Sequence, residues 1–333
     1  MSKVCWGVLS TAEIAQKALI PAFERANNAK VTAIASGSGL KKAEETAEKF
    51  QIQKSYGSYD ELLDDPKIDA VYIPLPNHLH KKWVTEAARK GKHILCEKPA
   101  ALNTEDIMEM KKTCAENDVL FMEAYMYHFH PQHKRVKEII NSGEIGEVKF
   151  IQAGFSFLLE GTDSNIRLSS EKGGGSIYDI GCYAIHSIRN TLEMEPKSVH
   201  VHAITDPIYK VDTDAVAYMQ FPDGIQASFV SSFSYAMHNK YEIYGTEGKI
   251  AVPRAYRPDL NGGDGVIIVE KSNNTRTETI NADQYKNEVE HISKVILKGC
   301  STLKHDFDNT IQNMKVIDAC YESIQRNSAV ELT

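Results

Sequence analysis

His93-Ile94-Leu95-Cys96-Glu97-Lys98-Pro99 is a short apolar run that ends in a Glu-Lys pair and a proline. Bounded by Gly91 before it and Pro99 after it, such a run reads as a buried strand that delivers Glu97 and Lys98 to the carboxyl edge of a sheet. Open α/β sheets take their ligands at that edge. Pro99 has a fixed φ and biases Lys98 toward extended backbone, which aims the lysine. The competing reading is a surface ion pair beside a turn, since exposed pairs of this kind are common and weak. The rest of the chain favours the first.

With 333 residues the chain exceeds what one hydrophobic core serves, so two domains are expected, residues 1–127 and 128–333. A net charge of −7 without a basic block argues against nucleic acid or an anionic membrane and leaves a small molecule as the expected partner. The start, Met1-Ser2-Lys3-Val4-Cys5-Trp6, leads into a strand-like segment without a signal peptide's apolar core, and no apolar run has membrane-spanning length; a cytoplasmic location is expected. Cys5, Cys96, Cys114, Cys182, Cys300 and Cys320 show no CxxC spacing and read as reduced, structural thiols.

Outward from Lys98, the first third alternates apolar strands with amphipathic helices, which predicts a parallel sheet covered on both faces. Strands are expected at 4–9, 31–35, 70–73, 93–96 and 120–123, and helices at 11–26, 40–50 and 79–89, with Asn103 capping a further one. Pro21 should bend or interrupt the first helix. Beyond residue 128 a helix at 131–142 is followed by longer strands at 148–157, 198–204, 215–221, 225–233, 240–244 and 266–271, then helices at 284–297 and 307–325. The fold class is therefore α/β, an N-terminal Rossmann domain plus a C-terminal α+β domain on a large, mainly antiparallel open sheet.

Four segments carry chemistry. After the first strand, Ser10-Thr11-Ala12 stands where a dinucleotide fingerprint has glycines; the residues are small enough for a pyrophosphate but lack the conformational freedom of glycine, and an ordinary strand-to-helix turn reads as well. Ser36-Gly37-Ser38-Gly39-Leu40-Lys41-Lys42, after the second strand, has hydroxyls and lysines but no acid to receive an NAD ribose, which favours NADP; the lysines also fit a solvated helix face. Pro74-Leu75-Pro76-Asn77-His78-Leu79-His80 brings polar groups to the same edge, with Asn77 equally readable as a helix cap. His128, His130 and His133 are rejected as a metal site, because Pro131 interrupts the spacing and no carboxylate or cysteine pattern accompanies them.

The fourth segment is Gly173-Gly174-Gly175-Ser176-Ile177-Tyr178-Asp179-Ile180-Gly181-Cys182-Tyr183-Ala184-Ile185-His186. Its glycines are expected to let backbone approach a ligand, and helical spacing puts Asp179, Tyr183 and His186 on one face. A phenol with pKa near ~10 gives up its proton more readily beside an ammonium, which Lys98 would supply. A buried helix with an Asp cap is the structural alternative.

These pieces, with CEKPAALN and MEAYMYHFHPQ, resemble the Gfo/Idh/MocA family of pyridine-nucleotide oxidoreductases, in the branch of NADP-dependent D-xylose and dimeric dihydrodiol dehydrogenases. The resemblance implies catalytic Lys98, Tyr183 and Asp179; Glu97 is expected to orient Lys98 by an ion pair. Cofactor contacts are expected from Ser10, Thr11, Ala12, Ile14, Ser36, Ser38, Lys41, Pro74, Leu75, Asn77, His80, Glu97 and Lys98. The expected cofactor is NADP, with NAD possible, and the substrate a sugar, polyol or cyclic diol bound between the domains. His128 stands where the branch often carries arginine. A homodimer or larger assembly through the C-terminal sheet is expected. Two alternatives stay open: a non-catalytic NADP(H)- or sugar-sensing regulator, and a hydrolase or lyase that retains its cofactor.

Overall fold

The computed structural model describes residues 2–161, 165–299 and 303–332. The chain divides into two compact units, residues 1–125 with 285–311, and residues 126–284 with 312–333. The return of 285–311 to the first unit was not legible in the sequence. Its cause is packing: Trp6 Nε1 donates to Ser293 Oγ at 3.1 Å, Phe121 stacks on Phe307 at 4.2 Å, and Val289 and Ile292 are fully buried.

The first unit holds six strands, β1 (Val4–Leu9), β2 (Ala29–Ala35), β3 (Lys54–Tyr56), β4 (Ala70–Ile73), β5 (His93–Glu97) and β6 (Phe121–Ala124). They are all parallel, in the order β3-β2-β1-β4-β5-β6. This is the doubly wound order of a Rossmann sheet, whose reversal between β1 and β4 opens a ligand crevice. Burial on both faces explains the unbroken apolar runs: Val8, Leu9, Ile34, Val71, Ile73, Ile94 and Leu95 have no exposed surface. Each such side chain contributes about 1.5–3 kcal/mol of hydrophobic stabilisation.

The helix after β1 is interrupted next to Pro21, as its sequence leads one to expect. Residues Ala15–Leu19 make π-type turns, and Ile20–Arg25 continues as α-helix with Pro21 in its first turn. Pro21 has no N–H to give the preceding turn and its ring crowds the carbonyls behind it, so the turn widens. The Asn103 cap is present, its side chain accepting from the Asp106 amide at 2.8 Å.

The second unit carries β7 (Val148–Ser156), β8 (Ser198–Thr205), β9 (Asp212–Gln220), β10 (Gln226–Ser232), β11 (His238–Gly245), β12 (Lys249–Val252), β13 (Asp264–Lys271), β14 (Asn274–Asn281) and β15 (Val330–Glu331). They form one sheet, β14-β13-β12-β11-β7-β10-β9-β8-β15, antiparallel except for the β7–β10 pair. Ala227, Phe229 and Ser231 of β10 are buried with Ile151, Ala153 and Phe155 of β7, which marks the covered face of the sheet. The opposite face exposes Ile204, Val216 and Tyr218. The fold is therefore α/β, a parallel Rossmann sheet plus a large, mostly antiparallel one. No helix among the described residues is long and apolar enough to cross a membrane. Cys5, Cys96, Cys114, Cys182 and Cys320 are free thiols, and Cys300 lies outside the described residues.

The three glycines at 173–175 serve the fold. Gly173 is left-handed at φ 76°, Gly174 presses against the Arg167 carbonyl, and Gly175, at φ 124°, leaves no room for a Cβ beside Asp212 Oδ1. The expected close approach is thus made to this unit's own groups. Asp212 Oδ2 accepts from the Ser176 hydroxyl at 2.8 Å and the Ile177 amide at 2.7 Å, and Oδ1 from the Tyr321 hydroxyl at 2.9 Å.

Gly175→Ala should lower stability by about 2–4 kcal/mol, through the disfavoured φ and the collision with a buried carboxylate, as read by urea unfolding. A wild-type midpoint would contradict this packing. Asp65 gives a pH test. Hydrogen bonding from Lys54, helped by the Lys67 amide and the Tyr56 hydroxyl, brings its carboxyl down to about 2. A carboxyl lowered by folding stabilises above its unfolded value near ~4, and the gain disappears as pH falls toward ~2. Asp65→Asn should therefore cost about 1–3 kcal/mol at neutral pH and much less at the acid end, measured by denaturation at both.

Candidate active site

In the first unit, the predicted cofactor residues emerge from the carboxyl ends of neighbouring strands. Ser10, Thr11, Ala12 and Ile14 follow β1; Ser36, Ser38 and Lys41 follow β2; Pro74, Leu75 and Asn77 follow β4; Glu97 ends β5 and Lys98 comes next. Ser10 adopts φ 154° without being glycine, and its Oγ accepts from the Ala12 amide at 3.0 Å. That bond offsets part of the cost of a conformation that glycine enters more readily. Ser36 is buried, its Oγ accepting from the Ser38 amide at 3.1 Å, while Ser38 and Lys41 are exposed. Asn77 opens a short 3-10 turn, Asn77–Leu79, and does not cap the helix His80–Arg89.

Three buried side chains hold the segment around Lys98, whose bond to Pro99 is cis. From β4, the Tyr72 hydroxyl donates to Glu97 Oε1 at 2.6 Å. Burial, then the Glu97 and Glu288 carboxyls, push the Tyr72 phenol well above its usual range, so it stays a donor. From β6, Glu123 Oε1 accepts from the Ala100 amide at 2.9 Å. The third is His80. Expected among the cofactor contacts, it has no exposed surface, and its ring nitrogens lie 2.9 Å from the Pro99 carbonyl and 2.7 Å from the Leu75 carbonyl. Burial, opposed by those carbonyls and aided by Lys98 and His78, lowers its pKa to about 4. A ring so enclosed contacts main chain, not ligand.

In the second unit, Tyr183 lies on the helix Cys182–Leu192 and is only 5% exposed. Its ring sits among Tyr127, Phe155 and Tyr256, with centroids 5.8, 5.5 and 5.6 Å away. Its hydroxyl reaches Met126 Sδ at 3.4 Å. The neighbouring phenols are engaged elsewhere: Tyr127 with His186 Nδ1 at 2.6 Å, and Tyr256 with Ser187 Oγ at 2.9 Å. Burial raises both above the ordinary phenol range, so both stay protonated near neutrality.

Of the three residues expected on one face, Asp179, Tyr183 and His186, the last two both pack against the Tyr127 ring, with centroids 5.8 and 5.6 Å away. Residues Ile177–Gly181, which include Asp179, form a π-type segment, and the α-helix that carries Tyr183 begins at Cys182. His186 is fully buried against Tyr127. Asp179 pairs with Arg167, Nε to Oδ2 at 2.6 Å. Arg167, twelve positions upstream on a short 3-10 turn, was given no role from the sequence. The histidines at 130 and 133 are structural. His130 bonds the Gly263 carbonyl, and His133 bonds the Tyr241 hydroxyl and faces the Ala255 carbonyl.

Chemically, the first unit presents hydroxyls, amides and ammonium groups at a switch-point edge, with no acid after β2, a donor set suited to an anionic dinucleotide. The second presents a buried phenol among aromatic rings and, on the preceding π-type segment, a carboxylate paired with a guanidinium.

Comparisons with known proteins agree. Residues 5–125 match the model of the oxidoreductase family with NAD-binding Rossmann fold, and residues 133–251 that of the GFO/IDH/MocA C-terminal domain. The chain is 35% identical over 334 residues to a D-xylose 1-dehydrogenase (NADP(+)) of Haloferax volcanii, covering 98% of this chain and 99% of that protein. It is 30% identical over 304 residues to the trans-1,2-dihydrobenzene-1,2-diol dehydrogenase of Xenopus tropicalis, covering 88% and 89%. Among solved structures, the 3-ketoreductase KijD10 of Actinomadura kijaniata, in complex with NADP and TDP-benzene, aligns with TM-score 0.90 and 27% identity over 97% of this chain and 98% of its own. Sheet order, motif placement and these matches over both parts of the sequence lead to one conclusion: the chain is an oxidoreductase of the Gfo/Idh/MocA family.

Proposed function

We propose that the protein is an NADP-dependent dehydrogenase or reductase acting on a sugar, polyol or cyclic diol, with Lys98 and Tyr183 handling the hydroxyl proton. The observation that carries this reading is the Glu97–Lys98–Pro99 segment, fixed by Tyr72, His80 and Glu123 at the same sheet edge as the Ser10, Ser36 and Pro74 loops.

Oxidising a carbinol removes a hydride from carbon and a proton from oxygen; the bound nicotinamide dinucleotide supplies or accepts the hydride. Tyr183, as the phenolate favoured by the Lys98 ammonium, would take the proton in that direction and, as the phenol, return it in the other. Lys98 holds the substrate oxygen and stabilises negative charge as it develops there and on the phenol. Asp179, steadied by Arg167, orients a substrate hydroxyl. Ser10, Thr11, Ala12 and Ile14 would border the pyrophosphate, Ser36, Ser38 and Lys41 the ribose and 2′-phosphate, and Pro74, Leu75 and Asn77 the nicotinamide side. NADP is preferred because no carboxylate follows β2, and the Haloferax and Actinomadura proteins, named or solved with NADP, support that choice. The sugar and diol names of the relatives support the substrate class. The exposed Ile204, Val216 and Tyr218 support a homodimer through the second sheet, and a cytoplasmic location remains part of the proposal.

A panel of aldoses, inositols and cyclic diols, followed by nicotinamide absorbance with NADP and NAD in parallel, tests substrate and cofactor together. Turnover with NADP favoured is expected; cofactor that stays bound with no net absorbance change would favour the hydrolase or lyase alternative. With the substrate found, Lys98→Met should abolish turnover while NADP affinity stays within about threefold, and Tyr183→Phe should lower kcat by about 10²–10⁴ with a smaller change in KM. Wild-type rates in both variants would remove the mechanism.

A further inference from the structure

The Leu75 and Pro99 carbonyls belong to loops that leave adjacent parallel strands, β4 and β5, where Ile73 pairs with Cys96. Both loops are short of donors, because Pro74, Pro76 and Pro99 have no N–H. A side chain has to satisfy these carbonyls, and the buried His80 ring lies within 3 Å of both. One of these loops is the proposed nucleotide loop, and the other carries Lys98.

We infer that His80 is a positioning residue that couples the nucleotide loop to Lys98, holding the Leu75 carbonyl through Nε2 and the Pro99 carbonyl through Nδ1. Each carbonyl lies within hydrogen-bond distance of its own ring nitrogen, so one ring bridges the two loops. The inference rests on the proposed role of Lys98. It makes His80 part of how the site is held, not a group that touches cofactor or substrate.

Two near-isosteric amides separate the halves of the ring. An Asn side chain places its amide near the Nδ1 position and Gln near the Nε2 position, so His80→Asn keeps the link to Pro99 and His80→Gln the link to Leu75. In His80→Gln the larger loss should be in kcat, about 10–100-fold at saturating NADP, with NADP Kd changed by less than about fivefold. In His80→Asn the order should reverse, with the larger loss in NADP affinity. Thermal unfolding and NADP fluorescence titration on the same preparations count folded, cofactor-competent molecules, so simple instability is scored separately. A merely structural histidine would lower both melting temperatures and leave kcat and Kd per folded molecule alike in the two variants; that result, or wild-type values in both, overturns the inference. Lys98→Met is the control: if it keeps its kcat, the proposed mechanism fails on its own, while the NADP Kd contrast between His80→Asn and His80→Gln still reads the tie to the nucleotide loop.

Discussion

The parallel register of β4 against β5 is the constraint from which the chemistry of the first unit follows. It releases two proline-rich loops side by side at one sheet edge, and proline cannot supply the main-chain donors those loops need. The His80 ring meets two of the loop carbonyls instead, while the Tyr72 hydroxyl donates to the Glu97 carboxylate and Glu123 accepts from the Ala100 amide. A net hydrogen bond of this kind contributes about 1 kcal/mol, whereas a buried group left unpaired costs about 1–3 kcal/mol. The larger figure governs here, because it makes any other path for the Lys98 segment expensive.

The second unit solves a comparable problem with one carboxylate. Asp212, nearly enclosed at the start of β9, is driven toward its neutral form by burial and held back by the Ile177 amide and the Ser176 and Tyr321 hydroxyls. It fixes the point where the Gly173–Gly175 turn enters the helix that carries Asp179 and Tyr183. The aromatic nest then leaves the Tyr183 ring little freedom, and pairing with Arg167 gives Asp179 a defined direction.

What the sequence disclosed depended on whether the responsible interaction was local. Apolar runs buried on both faces announced β1 and β4 to the residue, and the Asn103 cap needed only a three-residue spacing. The strand Asn274–Asn281 was illegible, because an exposed edge of Thr, Asn and Glu has neither an apolar run nor alternation. The π-type turn at 177–181 left no mark, since an extra residue per turn needs no special side chain, whereas Pro21 marked the interruption next to 15–19. At the site, the Glu97–Lys98–Pro99 signal was readable because strand and proline are contiguous. The misread cases were non-local: Gly175 is small because of Asp212, His80 is buried because of Leu75 and Pro99, and Arg167 matters because of Asp179.

The proposed enzyme depends on Lys98 and Tyr183 acting on one substrate oxygen, and a double-variant cycle on kcat tests this most directly. If the two groups work as a unit, Lys98→Met combined with Tyr183→Phe should be little slower than the slower single variant, because either loss already disables the step. Losses that multiply, so that the double variant shows the product of both single effects, would mean that the two groups act independently and would contradict the account.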